Sequence, residues 1–304
     1  MFDGFKRTII DAGGVPIRVR YGGSGPPLLL LHGIPETHLM WHKVAPILAR
    51  SLTVVATDLR GYGESGAPSS DERHTPYSMR EIAADQVAVM RHLGYSTFCV
   101  AGHDRGGRCA YRMALDYPKQ VRGLAVLDVV PTADAFRLAD AEFALAYWVW
   151  SFLAAPAPIP ERSIGANPDL FVDHMLDSWS EIAGVFSDEV RQGYRQAFHD
   201  PRTVHAICEE YRAAATLDVE HDEADRGRNQ IDCPVLALWG RGGDLESRYD
   251  VLALWQDWAA DVHGRAIDCG HFLPEEAPEE TAIELLQFFR RCYQREHVLA
   301  PAST

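Results

Sequence analysis

The chain has 304 residues, 47% hydrophobic and 24% charged, which suits a globular protein with a sizeable core: one large α/β domain with an insertion, or two ordinary domains. Its formal charge of −14 argues against a nucleic acid or an anionic membrane as partner. Six cysteines (Cys99, Cys109, Cys208, Cys233, Cys269, Cys292) stand scattered without a C-x-x-C pair, and the N-terminus shows no apolar leader region; reduced thiols and a cytoplasmic location are expected.

PLLLLHG (27–33) reads as a buried strand ending in a turn. LTVVATDLRG (52–61) reads as a second, followed by the loop GYGESGAPSS. SMREIAADQVAVMRHLG (78–94) has the apolar spacing of an amphipathic helix and stops at Gly94. STFCVAGHD (96–104) is a strand, RCAYRMALDYP (108–118) a helix stopped before Pro118, and VRGLAVLDVVP (121–131) the next buried strand. From 132 to 228 clean strands cease, and aromatics and a proline cluster (156–160) accompany helical stretches. This segment reads as an inserted helical cap, with 1–131 and 229–304 as the core. The most apolar run, FALAYWVWSFLAAPAPI from Phe143, is too broken by Ser151 and Pro156 for a membrane span, and a buried lid helix fits it better. Alternation resumes at CPVLALWGRGGD (233–244), GRAIDCGHF (264–272) and a terminal helix TAIELLQFFRRCYQ (281–294); the LAPAST tail is expected to fray. Such alternation predicts a mostly parallel sheet covered on both faces.

GHDRGGR (102–108) falls at a strand-to-helix turn with glycines on both sides. Hydrolases place a nucleophile there, commonly serine; here the residue is Asp104. The turn aims Asp104 beyond the carboxyl edge of the sheet, where open α/β sheets bind ligands. The N–H of Arg105 is one expected oxyanion donor, and the Ile34 N–H in HGIP (32–35) the other. The competing role for Asp104 is a helix N-cap; the two glycines and the partners downstream favour the nucleophile. His271, in DCGHFLP, can reach the elbow from the loop after a strand. Its orienting acid is either Asp128, ending LAVLD, or Asp244 in WGRGGD. His32 and His103 flank these turns and read as structural, and His205 and His221 as surface residues. No spacing suggests a metal site, and no cofactor is expected.

Arg105 and Arg108 lie one turn apart at a helix N-terminus, where like charges repel and the helix dipole is already positive. An anion between them accounts for the pair, because guanidinium grips carboxylate through charge-assisted hydrogen bonds. The plainer reading gives Arg108 a structural acid as partner. A carboxylate nucleophile is a poor match for ester or amide hydrolysis, since the acyl product is a labile anhydride. Attack on saturated carbon instead leaves an alkyl ester that water, activated by His271, can hydrolyse. Carbon–halogen bonds and epoxides both suit the scheme.

These segments together resemble the haloacetate (fluoroacetate) dehalogenase family of the α/β-hydrolase fold. The likeness runs through LHGIPETHLMWHKVAP, DLRGYGES, VMRHLG, GHDRGGRCAYRMALDYP, LDVVPT, YWVW, EEYRAAATLDVEHD and GHFLPEEAPEE. HDRGGR with YRAAATLDVEHD is specific, whereas the HGIP and DLRGYGES patterns are shared with epoxide hydrolases and haloalkane dehalogenases. The resemblance implies Asp104 as nucleophile, Asp128 (over Asp244) with His271 as acid–base pair, and Arg105 with Arg108 as carboxylate clamp. It implies Trp150 and Tyr211 as halide donors, a small haloacid as substrate and a homodimer. One position departs. The family pattern Y-W-H-W carries a histidine that donates to the halide, and here the segment is Tyr147-Trp148-Val149-Trp150. Valine cannot donate, so chloro- and bromoacetate are expected to be favoured over fluoroacetate. The rival readings are an epoxide hydrolase, with Tyr211 paired to Tyr147 or Tyr194, and a non-catalytic binder of small carboxylates. Cap aromatics more often pack than bind ligands, and Trp148 is read as core.

Overall fold

In chain order the strands are β1 (Lys6–Asp11), β2 (Pro16–Gly23), β3 (Pro27–Leu31), β4 (Thr53–Thr57), β5 (Phe98–His103), β6 (Val121–Leu127), β7 (Val235–Gly240) and β8 (Val262–Ile267). The computed structural model describes residues 1–299, with side chains through residue 294, so the end of the LAPAST tail lies outside the described residues. The strands join one sheet in the order β1-β2-β4-β3-β5-β6-β7-β8. From β4 to β8 all neighbours are parallel, whereas β1 and β2 form an antiparallel edge. The inner parallel strands β3 to β7 are buried on both faces and therefore read as largely apolar runs, as in PLLLL and FCVAGH, whereas the edge strand β8 is partly exposed. The hairpin β1–β2 escapes that reading. Four of six residues of KRTIID are exposed, so its alternation is mostly polar.

Helices Met79–His92 and Arg105–Asp116 pack together, and the terminal helix Pro278–Leu299 lies against β5 and β6. The elbow helix begins at Arg105, three residues earlier than its apolar pattern suggests, because the two glycines allow the turn to close tightly. A Cβ on Gly102 would stand 2.1 Å from the carbonyl oxygen of Gly106, and one on Gly106 would stand 2.5 Å from that of His32. Only glycine lets β5, the elbow helix and the β3 loop approach this closely. All six cysteines are buried thiols outside any disulfide.

Between β6 and β7 the described residues form helices and no strands. The apolar run from Phe143 is not one buried lid helix. It folds as Ala141–Ala146 and Trp148–Leu153, broken at Tyr147, and Leu145 is 80% exposed. The break lets Tyr147 stack on Phe143 while Trp150 meets Phe136 and Phe143 edge-on. No helix among the described residues is long and apolar enough to cross a membrane.

The last inserted helices are tied to the sheet-bearing part by buried acids. Asp222 accepts from the Tyr111 hydroxyl at 2.7 Å and from Arg112 at 3.0 Å, and Asp218 accepts the Met79 N–H at 2.9 Å. The other Asp218 oxygen has no partner. Burial, opposed by that N–H and by the Arg105 charge, pushes the Asp218 carboxyl up to about 7. A group raised in this way favours the folded state while protonated, and the favour is lost as pH rises from 3.8 through about 7. Asp218→Asn keeps the acceptor and removes the titration. The wild-type melting temperature is therefore expected to fall more than the variant's between about pH 5 and about pH 8; parallel profiles would dismiss the idea.

Candidate active site

Five loops at the carboxyl edge of the sheet converge on one cavity of about 160 Å³. Asp104 stands at the elbow with φ 43° and ψ −114°, a conformation strained for a residue with a Cβ. Its side chain makes no capping bond to the helix that follows, which removes the N-cap reading. One carboxylate oxygen instead accepts the Ile34 N–H at 3.2 Å. Arg105 is the first helical residue, so its N–H has no intrahelical acceptor. Burial works to raise the Asp104 pKa, but the charges of His271, His103, Arg105 and Arg108 outweigh it and hold the carboxyl below its usual range. Asp104 is an ionised, desolvated carboxylate.

His271 lines the same cavity, with Nδ1 2.6 Å from Asp128 Oδ2. Asp128 is held by the Gly240 N–H at 2.9 Å on its other oxygen and has φ 54°, a second strained position. Of the two candidate acids, Asp128 is the one in contact with His271. Asp244 lies exposed at the cavity rim.

The arginines separate. Arg108 lines the cavity, stacked 4.4 Å above the Trp150 ring, and donates to Val130 O at 2.9 Å and Thr132 Oγ1 at 3.2 Å. Its Nε is buried without an acceptor. Arg105 does not line the cavity. Its Nε donates to Glu210 at 3.1 Å, its plane lies 4.5 Å from the Tyr211 ring centre, and its two terminal nitrogens are buried without acceptors. Glu210, a carboxylate of the protein itself, thus holds Arg105 Nε behind Tyr211 and leaves the two terminal nitrogens without a partner, while Arg108 faces the cavity.

Val149, Trp150 and Tyr211 line the inserted-helix wall, and Tyr147 stands beside them. Trp148 points elsewhere, half-buried against Phe152 and Phe171. Tyr194 is fully buried outside the cavity and donates to Glu275 at 3.0 Å, so Tyr147 is the tyrosine that shares the cavity with Tyr211. His221 is half-buried rather than on the surface.

His103 is more than a spacer. One ring nitrogen lies 3.1 Å from Glu36 and the other donates to the His271 carbonyl at 2.8 Å. Burial alone would lower its pKa; the Glu36 contact, with Asp104 and Asp128 nearby, raises it to about 9. A buried imidazolium therefore links the loop carrying Ile34, the turn carrying Asp104 and the loop carrying His271. Glu36 and Glu210 went unnoticed in the sequence; Glu36 follows HGIP directly, and that adjacency was the one available signal.

A family model described as alpha/beta hydrolase fold matches residues 26–278. The chain belongs to the α/β-hydrolase family. Fluoroacetate dehalogenase from Burkholderia sp. is 45% identical over 289 residues, covering 95% of each chain. Soluble epoxide hydrolase from Corynebacterium sp. is 32% identical, covering 88% of this chain and 91% of that one. A crystal structure of an alpha/beta hydrolase from Nostoc sp PCC 7120 superposes with a TM-score of 0.94 at 51% identity, covering 95% of this chain and 99% of that one. The family resemblance drawn from HDRGGR and its companion motifs is borne out. In this α/β hydrolase the relatives leave two chemistries in play, dehalogenation and epoxide opening.

Proposed function

We propose that this α/β hydrolase removes the halogen from short 2-haloacids, converting haloacetate to glycolate and halide. The observation that carries the reading is an ionised Asp104 at a strained elbow, sharing a small cavity with the Arg108 guanidinium and the His271–Asp128 pair. The substrate carboxylate pairs with Arg108, with the free nitrogens of Arg105 adding positive field from behind Tyr211. An Asp104 oxygen attacks the α-carbon, the carbon–halogen bond breaks, and halide leaves toward Trp150 and Tyr211. The hydroxy acid remains as an ester on Asp104. His271 takes a proton from water, which adds to the ester carbonyl carbon; the N–H groups of Ile34 and Arg105 hold the oxyanion. Collapse returns Asp104 and releases glycolate. Residues 132–228 act as a cap that closes the site from water. The 45% identity to a fluoroacetate dehalogenase supports this chemistry. A carboxylate binder without catalysis has no use for the His271–Asp128 pair.

Val149, 2% exposed, stands in the wall that receives the halide. A hydrogen bond to an anion contributes about 1.5–3 kcal/mol, so a missing donor slows the step by roughly ten- to a hundredfold. Fluoride loses most, being the poorest leaving group and the halide most dependent on strong donors. Initial rates of halide release are expected to rank bromo- and chloroacetate above fluoroacetate, and Val149→His is expected to raise the fluoroacetate rate by roughly tenfold or more. Fluoroacetate turning over fastest in the wild type would refute the preference.

A further inference from the structure

The loop that carries His271 is held by a residue outside the dehalogenation scheme. Glu276 is the last residue of the short helix Leu273–Glu276, and its buried carboxylate turns back toward that loop. Oε1 accepts the Phe272 N–H at 2.9 Å and Oε2 accepts the Gly270 N–H at 3.1 Å, so the N–H groups on both sides of His271 end on one side chain. Oε2 also accepts the N–H groups of Glu181 at 2.8 Å and Ile182 at 3.2 Å, 95 and 94 positions earlier in the chain. Those two lie in the stretch after the inserted helix Pro168–Ser178. The same stretch meets His271 directly. The His271 N–H donates to Trp179 O at 2.9 Å, and the Trp179 ring stands edge-on to the imidazole at 5.5 Å between centres. Trp179, Glu181 and His271 all line the cavity. So close an approach requires glycine at 270, where a Cβ would stand 2.7 Å from both the Trp179 carbonyl oxygen and the Glu181 nitrogen.

We propose that Glu276 is a positioning residue for ester hydrolysis: it fastens residues 179–182 of the inserted wall to the His271 loop, so that the base is aligned only while that part of the wall is in place. The inference rests on the reading of Asp104 as the residue esterified and His271 as the base for water. Asp128 fixes one ring nitrogen of His271, but the ring also takes its direction from the backbone it hangs on. That backbone lies between β8 and the helix Leu273–Glu276, without ladder bonds of its own, and its N–H groups need acceptors from elsewhere. A carboxylate that receives four N–H groups supplies charge-assisted bonds to both segments at once. Lys43 makes a second tie between the same parts, donating to Val185 O at 3.2 Å and Glu275 O at 2.9 Å. Removing the Glu276 carboxylate therefore loosens the junction without detaching it.

The two half-reactions respond differently. Alkylation of Asp104 makes no demand on the direction of His271, whereas attack by water does. A displacement of about 1 Å in a reacting group costs roughly a hundredfold, and here it falls on the second step.

The test compares the wild type, Glu276→Gln and Glu276→Ala as full chains at saturating chloroacetate. Acid quenching and mass spectrometry give the ratio of chains esterified at Asp104 to free chains, which is the ratio of the alkylation rate to the hydrolysis rate. Loss of folded protein cannot raise that ratio. It is expected to rise roughly tenfold in Glu276→Gln, whose amide oxygen can keep three of the four N–H groups, and roughly a hundredfold in Glu276→Ala, which keeps none. An equal rise in both would trace the effect to the lost charge and overturn the positioning role. Ester that accumulates in His271→Ala beside an unchanged ratio in both Glu276 variants overturns the inference and leaves the haloacid reading intact. No ester in any chain, His271→Ala included, overturns both. Amide exchange in the wild type checks the junction without a variant. The N–H groups of Glu181, Ile182, Gly270 and Phe272 are expected to open as one unit, with protection alike to within roughly tenfold, and a wider spread overturns the coupling.

Discussion

Mixed with chloroacetate, His271→Ala is expected to release one chloride per chain and then stop, leaving a hydroxy-acid ester on Asp104. The two half-reactions place different demands on the site. Alkylation needs an ionised, oriented carboxylate, and Asp104 is ionised without help from a base: His103, Arg105 and Arg108 remain as cations around it when His271 is removed. Ester hydrolysis needs a base for water, and among the residues lining the cavity His271 is the one imidazole, already oriented 2.6 Å from Asp128. A lost general base costs roughly 10²–10⁴-fold, and here the cost falls on the second step alone. The expected signature is a stoichiometric chloride burst, steady-state turnover lowered by about that factor, and an alkylated peptide spanning Asp104 in the mass spectrum. A complementary reading comes from the wild type in heavy-oxygen water, where a single turnover is expected to deposit the label in Asp104 before it reaches product. A slow first turnover in His271→Ala with no adduct, or label passing straight to glycolate, would mean that water attacks the substrate directly.

The parts of this site that sequence reasoning reached share one property: a short stretch of neighbouring residues dictates each of them. Gly102 and Gly106 force the sharp turn that lifts Asp104 out of the helix, and the apolar runs of β3, β5, β6 and β7 place their loops on one edge. His271 follows from the strand before it. What was missed depends on contacts between distant segments. The repulsion between Arg105 and Arg108 calls for an anion, and Arg105 finds one in Glu210, 105 residues further along, on a helix whose placement no local pattern specifies. The same holds for Glu36 and His103, separated by 67 positions; a histidine read as structural turns out to be a buried cation because its partner comes from another loop. The hairpin β1–β2 was missed for a different reason. It is an edge with one face in water, so its mixed alternation looks like loop. The apolar run at Phe143 promised one helix because composition alone does not register the turn at Tyr147, where aromatic stacking on Phe143 sets the direction of the chain.

The separation of the arginines makes their substitutions distinguishable. Arg108→Met is expected to lower kcat/KM for chloroacetate by roughly 30- to 5000-fold, the consequence of deleting the cation of a desolvated ion pair, at about 2–5 kcal/mol. Arg108 is the one arginine or lysine among the cavity-lining residues, and no buried protein carboxylate depends on it for a partner. Its removal costs the fold two hydrogen bonds, to Val130 and Thr132, at about 1 kcal/mol each, and the melting temperature is expected to fall only modestly. Arg105→Met behaves differently, because it strands Glu210 as a buried charge beside Tyr62, and breaking such a pair costs about 3–5 kcal/mol of stability. Loss of activity there arrives with loss of the fold. The two roles separate further with chloroacetamide, which presents the same reacting carbon without a carboxylate. Arg108→Met is expected to leave chloroacetamide turnover within a few-fold of wild type while chloroacetate turnover collapses, because the missing interaction is with the acid end of the substrate and not with the reacting carbon. Equal loss on both substrates would assign Arg108 to the electrostatics of Asp104 instead, and the carboxylate anchor would have to be sought in the partnerless nitrogens of Arg105, reached by movement of Tyr211.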